Sequence, residues 1–435
     1  MKCSCKMSAM TNSAASAASV SERMKIIDLP TQYFRDNRQA LGQLLTDGSL
    51  AILVSGRPPV RTSDEHYRFL ANRNFFYLTG VEQEGSILVL FKEYGAIKCT
   101  LFIPGTDAMY ERWNGKRLTR SEATERSGLT DVAYIEGFEG QLADLVVSRT
   151  QKLWLDFSAD NAQARHLKDQ MAQDHPLLET ADLSPLLVSL RMIKRQVEVD
   201  LIREAAMLTG EGILAVMRAC RPGLKEFHLW SEFQYTLSQA GCLEPAFSSI
   251  IAAGENSLCL HYMNPRATIQ DGDLIQLDVG ATYGGLCADI SRALPANGRF
   301  SERQRAIYDL VRQCQEKAFA TIRPGIRLTQ INEACQEVAR EGLLALGLLK
   351  PDQPVKEYFW HGVSHHLGLD VHDVSNKEAL LKPGMVLTVE PGVYVTEWGF
   401  GMRLEDDVVV TEDGCQVISA AIPREAEEIE ALMNG

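Results

Sequence analysis

The chain has 435 residues, 45% hydrophobic and 23% charged, enough for two or three globular domains with sizeable cores. Its formal net charge of −13 excludes a binder of nucleic-acid phosphates, which needs clustered Lys and Arg, and favours small or peptide substrates. No apolar run reaches the roughly 18 residues that would span a membrane.

Ten cysteines are scattered without a CxxC pair, so neither a zinc ribbon nor a thioredoxin-type site is written here. They are expected to be reduced, buried small hydrophobes in a cytoplasmic protein. Residues 1–23 are rich in Ser and Ala and lack the apolar stretch of a secretory signal; they are expected to form a disordered extension. From Met24 the pattern turns globular. Tyr33 to Leu45 has helical spacing, and Leu50 to Val54 is a short apolar strand closed by Ser55-Gly-Arg-Pro-Pro59. Further strands are expected at Ser86 to Phe91, Lys98 to Ile103 and Lys152 to Asp156, with a helix over Asn161 to Ala172. This alternation predicts an α/β domain over residues 24–183. A long helix, Arg195 to Ala219, follows and is closed by Arg221-Pro-Gly223; residues 184–435 read as a second, larger domain.

That second domain repeats itself. Arg221-Pro-Gly-Leu224 precedes a helix over Glu226 to Gln239, and Arg323-Pro-Gly-Ile326 precedes one over Thr329 to Glu341. Between and after them, Asp271-Gly272 leads through a strand to Asp278, as Pro383-Gly384 leads through a strand to Glu390. Packing two such halves about a pseudo-twofold would bring Asp278 and Glu390 together. Asp289 lies on the strand after Asp278, beyond a turn at Thr282 to Gly285. Acids in apolar strands are costly unless a cation or a hydrogen-bond network compensates them.

Four of the nine histidines, His361, His365, His366 and His372, fall within a glycine-punctuated stretch shortly before Glu390. Arg403, Glu405 and Asp407 alternate along the strand after it and are expected to share a face. Oxygen-rich ligands with a minority of imidazole suit two divalent cations, Mn2+, Co2+ or Zn2+, better than a thiolate site would.

Asp278, Asp289, His365 within HGxxHxLGLxVHD, Glu390 within VEPGxY and Glu405 within MRLEDD resemble the ligands of the pita-bread-fold metallopeptidases. Together with Asn74 to Gly80 and Glu111 to Arg117, which resemble an aminopeptidase P N-terminal domain, they point to the Xaa-Pro aminopeptidases. The resemblance implies an α/β N-terminal domain and an α+β pita-bread catalytic domain with an internal pseudo-twofold repeat. It further implies an enzyme that hydrolyses the bond before proline at the amino terminus of peptides, through a water shared by two metals. Asp278 would chelate one ion, Asp289 and Glu405 would bridge both, and His365 and Glu390 would complete the other, with Glu390 also taking a proton from the water. Mn2+ is the expected metal, with Co2+ or Zn2+ as alternatives. His261 and His372 would stand near the scissile peptide, while His361 and Arg403 would line the proline pocket. A homodimer or higher homo-oligomer is implied. The competing readings are a proline dipeptidase with the same metal site and a non-catalytic scaffold on the same fold. Arg292 is expected to salt-bridge an acid behind the site, Cys287 to pack, and Arg424 to Leu432 to form a solvated helix.

Overall fold

Residues 28–158 and 161–435 are described by the computed structural model; the expected extension at residues 1–23 lies outside them. In the first half six strands form one mixed sheet, in the order Val132–Tyr134, Ala96–Ile103, Ile87–Glu93, Ser49–Val54, Lys152–Leu155, Glu179–Asp182. Ile87–Glu93 runs antiparallel to both its neighbours, and the remaining pairs are parallel. Ser49–Val54 is buried at every position because helices cover both faces of the sheet. Leu50 and Ile52 pack with Phe102, Phe138 and Leu153, whereas Ala51 and Leu53 pack with Phe34, Leu41 and Phe75. The two strands that the pattern did not announce are the edges, Val132–Tyr134 and the polar Glu179–Asp182. Each is too short to carry a period.

The second half is built twice. Strands Ile290–Pro295, Leu274–Val279 and Ile250–Ala253 form one antiparallel sheet; Val386–Val389, Asp406–Val410 and Cys415–Val417 form another. Helices Glu226–Gln239 and Leu328–Ala345 follow the two Arg-Pro-Gly turns. The repeat holds at the level of the backbone. Gly223 donates to Ile269 O at 2.9 Å as Gly325 donates to Leu381 O at 2.9 Å, and Ile269 and Leu381 donate back to Leu224 and Ile326. Gly272 and Gly384, which open the acid-bearing strands, take φ of 85° and 84°, a left-handed conformation that favours glycine.

Two expectations are corrected. Beyond Glu390 the chain changes partner: Val386–Val389 pairs with Asp406–Val410, and Gly392–Val395 pairs with Phe400–Arg403. The same change of partner breaks the chain at Leu404 and Glu405, so Arg403, Glu405 and Asp407 do not share one strand face. The acidic tail forms helix Ala426–Asn434, but it buries Ala426 and Ile429 and is therefore docked rather than solvated all round.

A charged network ties the two halves of the chain together. Arg191, buried at the end of helix Ser184–Arg191, donates to Asn74 Oδ1 at 2.7 Å, to Asp370 at 2.9 Å and to Asp373; Lys194 donates to Asp373 at 2.8 Å. Gly368 lies so close that a Cβ there would stand 2.4 Å from Asp373 Oδ2. Replacing Asp373 by alanine strands two buried cations. Asp373→Ala is expected to cost about 3–5 kcal/mol of stability in denaturant unfolding, and a loss below about 1 kcal/mol would contradict this account.

Candidate metal centre

Each half delivers its acids at strand ends. The pairing of Leu274–Val279 with Ile290–Pro295 sets Asp278 opposite Ser291 and puts Asp289 just before its strand. A two-stranded ribbon, Thr282–Tyr283 with Leu286–Cys287, closes this hairpin around Gly284 and Gly285. In the second half Glu390 follows Val386–Val389, and Glu405 occupies the break between Phe400–Arg403 and Asp406–Val410. Glu405 N donates to Ser291 O at 3.1 Å, joining the halves beside the acids. Gln276 joins them again: its Oε1 accepts from Arg403 N at 2.8 Å, and its Nε2 donates to Arg403 O at 3.2 Å.

The histidine segment lies along the edge of Val386–Val389. Leu367 N donates to Val386 O, Thr388 N to His365 O and Glu390 N to Val363 O, at 2.9–3.1 Å. This docking brings His365 Nε2 to 3.4 Å from Asp289 Oδ2 and 3.5 Å from Glu390 Oε1. Ligand atoms of Asp289, His365 and Glu405 all lie within 4.8 Å of one another. Asp278 is held differently: its Oδ2 accepts from Arg403, while its Oδ1 is buried without a hydrogen-bond partner. His372 packs its ring 4.1 Å from that of His365 and is exposed, as is His261 from the other half.

Burial and like charge dominate the electrostatics. Asp289 is pushed well above the usual carboxylate range by burial, then by Glu405 and Asp278; Glu405 is pushed up by burial, then by Glu390 and Asp278. Burial pushes Glu390 up to about 8, with Arg403 opposing and Asp278 adding. Burial lowers His361 and His365 to about 4, so both are neutral near pH 7. Arg403 is also buried, which disfavours its charge, but Asp278 and its other neighbours outweigh that and hold it raised.

Sequence reasoning missed the neutral side chains that aim these groups. Ser291 Oγ donates to Glu405 at 2.8 Å and accepts from Arg403 Nε at 2.9 Å. Thr388 Oγ1 accepts from His365 N and donates to Glu390. Tyr394, the last residue of VEPGxY, bonds both His361 Nε2 at 2.8 Å and Arg403 at 3.0 Å. Asp407 stands behind Asp289 and accepts from its backbone N–H at 3.2 Å. Of the other residues singled out, Arg292 pairs with Asp406 at 2.9 Å as expected. Cys287 packs in the core with its thiol towards Leu369 O, and His366 is buried beside Lys194 and Asp373.

Four acids and one neutral imidazole therefore meet at the seam of the repeat, with orphaned oxygens on Asp278 and Asp289. An oxygen-rich set of this kind, short of positive charge, fits divalent cations and leaves a non-catalytic scaffold without support.

Comparison with known proteins agrees. Residues 200–412 match metallopeptidase family M24, and residues 34–154 match the aminopeptidase P N-terminal domain. The Xaa-Pro aminopeptidase of Escherichia coli K12 is 33% identical over 433 residues, covering 93% of this chain and 98% of its own. A solved chain from Bacillus anthracis, described as an aminopeptidase P, superposes with a TM-score of 0.91 and 36% identity, covering 93% of this chain and 99% of that one. Aminopeptidase P from E. coli, solved with the inhibitor Pro-Leu, gives 0.87 and 32%, covering 94% and 99%.

The buried acids make the metal-free protein sensitive to pH. Glu390 titrates at about 8 when folded and near 4.3 when unfolded, so the folded chain binds the extra proton between those values. Stability present below the unfolded value is then lost as pH rises through about 8. His361 and His365 act oppositely, but only between about 4 and 6.5. After chelation, Tm is expected to fall from pH 6.5 to pH 8.5, and added Mn2+ to release protons at pH 7, read by calorimetry in buffers of different ionisation heat. A chelated protein whose Tm rises over that interval would refute this picture.

Proposed function

Because the chain belongs to metallopeptidase family M24 and carries the aminopeptidase P type of N-terminal domain, we propose that it removes the residue preceding proline from the amino terminus of peptides. The observation that carries this reading is the convergence of Asp278, Asp289, His365, Glu390 and Glu405 from two related half-domains. In this reading these five would hold two divalent cations, with Mn2+ the first choice and Co2+ or Zn2+ accepted on the same ligand chemistry. Bound there, the ions would polarise the scissile carbonyl and bring the pKa of a shared water towards neutrality.

The chain's own groups do the rest. Glu390, whose carboxylate is ionised once cations offset the neighbouring acids and whose Oε1 lies 3.5 Å from His365 Nε2, would accept a proton and pass it on. His361 has both ring nitrogens engaged, Nδ1 with Gly362 O and Nε2 with Tyr394 Oη, each at 2.8 Å. That assigns Nδ1 as its protonated nitrogen and makes it a fixed wall rather than a proton donor. With Arg403, anchored on Asp278, Ser291 and Tyr394, it forms the rigid side of a proline pocket. Rigidity suits proline, whose ring fixes φ and whose amide lacks an N–H to recognise. His261 and His372, both exposed and one from each half, are placed to donate to the developing oxyanion and to the leaving nitrogen.

The same reading extends to organisation. We take residues 24–183 and 184–435 as the two domains, supported by a first sheet that ends at Asp182 and a helix that starts at Ser184. Subunit pairing through the N-terminal domain is supported by helix Ala108–Asn114, which buries none of its residues and exposes Met109 and Trp113. A cytoplasmic setting is supported by the eight cysteines among the described residues, all free, and no described helix is long and apolar enough to cross a membrane.

The Mn2+-loaded protein should release alanine from Ala-Pro-Ala, and Asp289→Ala should lower kcat by about 10³-fold or more while losing bound metal. Failure to cleave Ala-Pro-Ala would sink the proposal. Cleavage of Ala-Pro alone would turn it into a dipeptidase.

A further inference from the structure

Glu226 opens the helix Glu226–Gln239 and is fully buried, yet it lies outside the group of acids at the metal centre. Its carboxylate accepts four hydrogen bonds. Ala253 N and Asn256 Nδ2 donate to one oxygen, each at 2.8 Å; Tyr262 Oη at 3.0 Å and Ala267 N at 2.9 Å donate to the other. All four donors belong to a single stretch, residues 253–267, and His261 lies between the two pairs. One oxygen pins the incoming limb of that stretch and the other pins the outgoing limb.

Other bonds fasten the ends of the stretch, Gly401 N to Ser257 Oγ at 2.8 Å and Glu226 N to Ala267 O at 3.1 Å, but its middle has no regular structure. Apart from the short 3-10 turn Gly254–Leu258, residues 259–267 contain no helix or strand. Tyr262, the neighbour of His261, reaches the carboxylate directly and also accepts from Asn256 at 3.1 Å. The far end is fastened by Lys225, which bridges to Thr268 in the backbone ladder. His261 itself is exposed, on a loop that follows strand Ile250–Ala253 of the first half-domain's sheet.

The repeat supplies an internal control. Counting from the two Arg-Pro-Gly turns, the position of Glu226 is taken in the second half by Leu328, which opens helix Leu328–Ala345. The architecture therefore accepts an apolar residue at this point. A buried carboxylate is costly unless all its acceptor capacity is used, and here it is used wholly on the limbs of one loop.

We propose that Glu226 is a positioning residue for the peptidase reaction, stapling both limbs of the 253–267 loop so that His261 meets the scissile peptide in a fixed place. This rests on the reading of His261 as a substrate-facing group. Substrate groups misplaced by about 1 Å lose up to about 10²-fold in rate, so the staple is expected to show in kcat rather than KM.

Glu226→Gln keeps the shape but turns one oxygen into an amide that cannot accept from Ala267 N–H. In the metal-loaded protein it should lower kcat on Ala-Pro-Ala about tenfold with bound metal unchanged. His261→Ala should lower kcat by about 10²-fold, and adding Glu226→Gln to it should change nothing more. Tyr262→Phe removes a single hydroxyl from the surface side of the staple; it should repeat the pattern at about threefold and serves if Glu226→Gln does not fold. Equal losses whether or not the His261 imidazole is present, or unaltered kcat in both staple variants, would overturn the role of Glu226 alone. Unaltered kcat in His261→Ala would instead overturn the reading of His261 on which it rests.

Discussion

Like charges held close together and away from water govern this molecule. At about 4 Å and an effective dielectric of about 20, each pair of ionised carboxylates costs about 4 kcal/mol, and four acids meet at the seam. Arg403 brings one guanidinium into that group, and it is committed to Asp278. The remaining repulsion is what raises Asp289, Glu405 and Glu390, and what makes the seam a receptor for cations. No packing of apolar groups would assemble such a cluster. It exists because the surrounding backbone is held in place independently.

That hold comes from behind the acids. Arg292 is fully buried and spends its donors on Ser291 O, Glu405 O, Pro423 O, Ile422 O and the Asp406 carboxylate. It thereby fixes the strand after Asp289, the break that carries Glu405, and the segment leading to the last helix. Gln315 adds a bond to Asp406 from helix Glu302–Thr321, and Ser419 adds another. A buried ion pair is not by itself a large source of stability. Here its value is geometric, since two of its contacts, Ser291 O and Glu405 O, land on backbone that aims ligands.

How much of this could be read from the chain depended on chemistry that repeats or alternates. The apolar run at Leu50 and the stripe of Glu226–Gln239 gave their elements away because burial imposes a period. Glu179–Asp182 did not, since an edge strand needs no apolar residues, and the tail helix hid two buried residues among its acids. At the centre, charged ligands were legible from the motifs that contain them. Ser291, Thr388 and Tyr394 were not, because a neutral side chain shows its purpose only when its distant partner is in place. The supposed common face of Arg403, Glu405 and Asp407 failed for a related reason. Alternation along a strand assumes one partner, and this chain changes partner midway.

The duplicated architecture also orders events in time. Ligands run from Asp278 to Glu405, and the brace that steadies them reaches Pro423, so a growing or refolding chain has no complete centre until its last part is in place. The sheet ending at Asp182 draws only on the first part of the chain and can form early, as domains do during synthesis. Pairing the two halves requires contacts across more than a hundred residues and belongs to the slow phase. Capture of metal is then the closing act of folding, and the protein matures into a catalyst only after its last long-range contact is made.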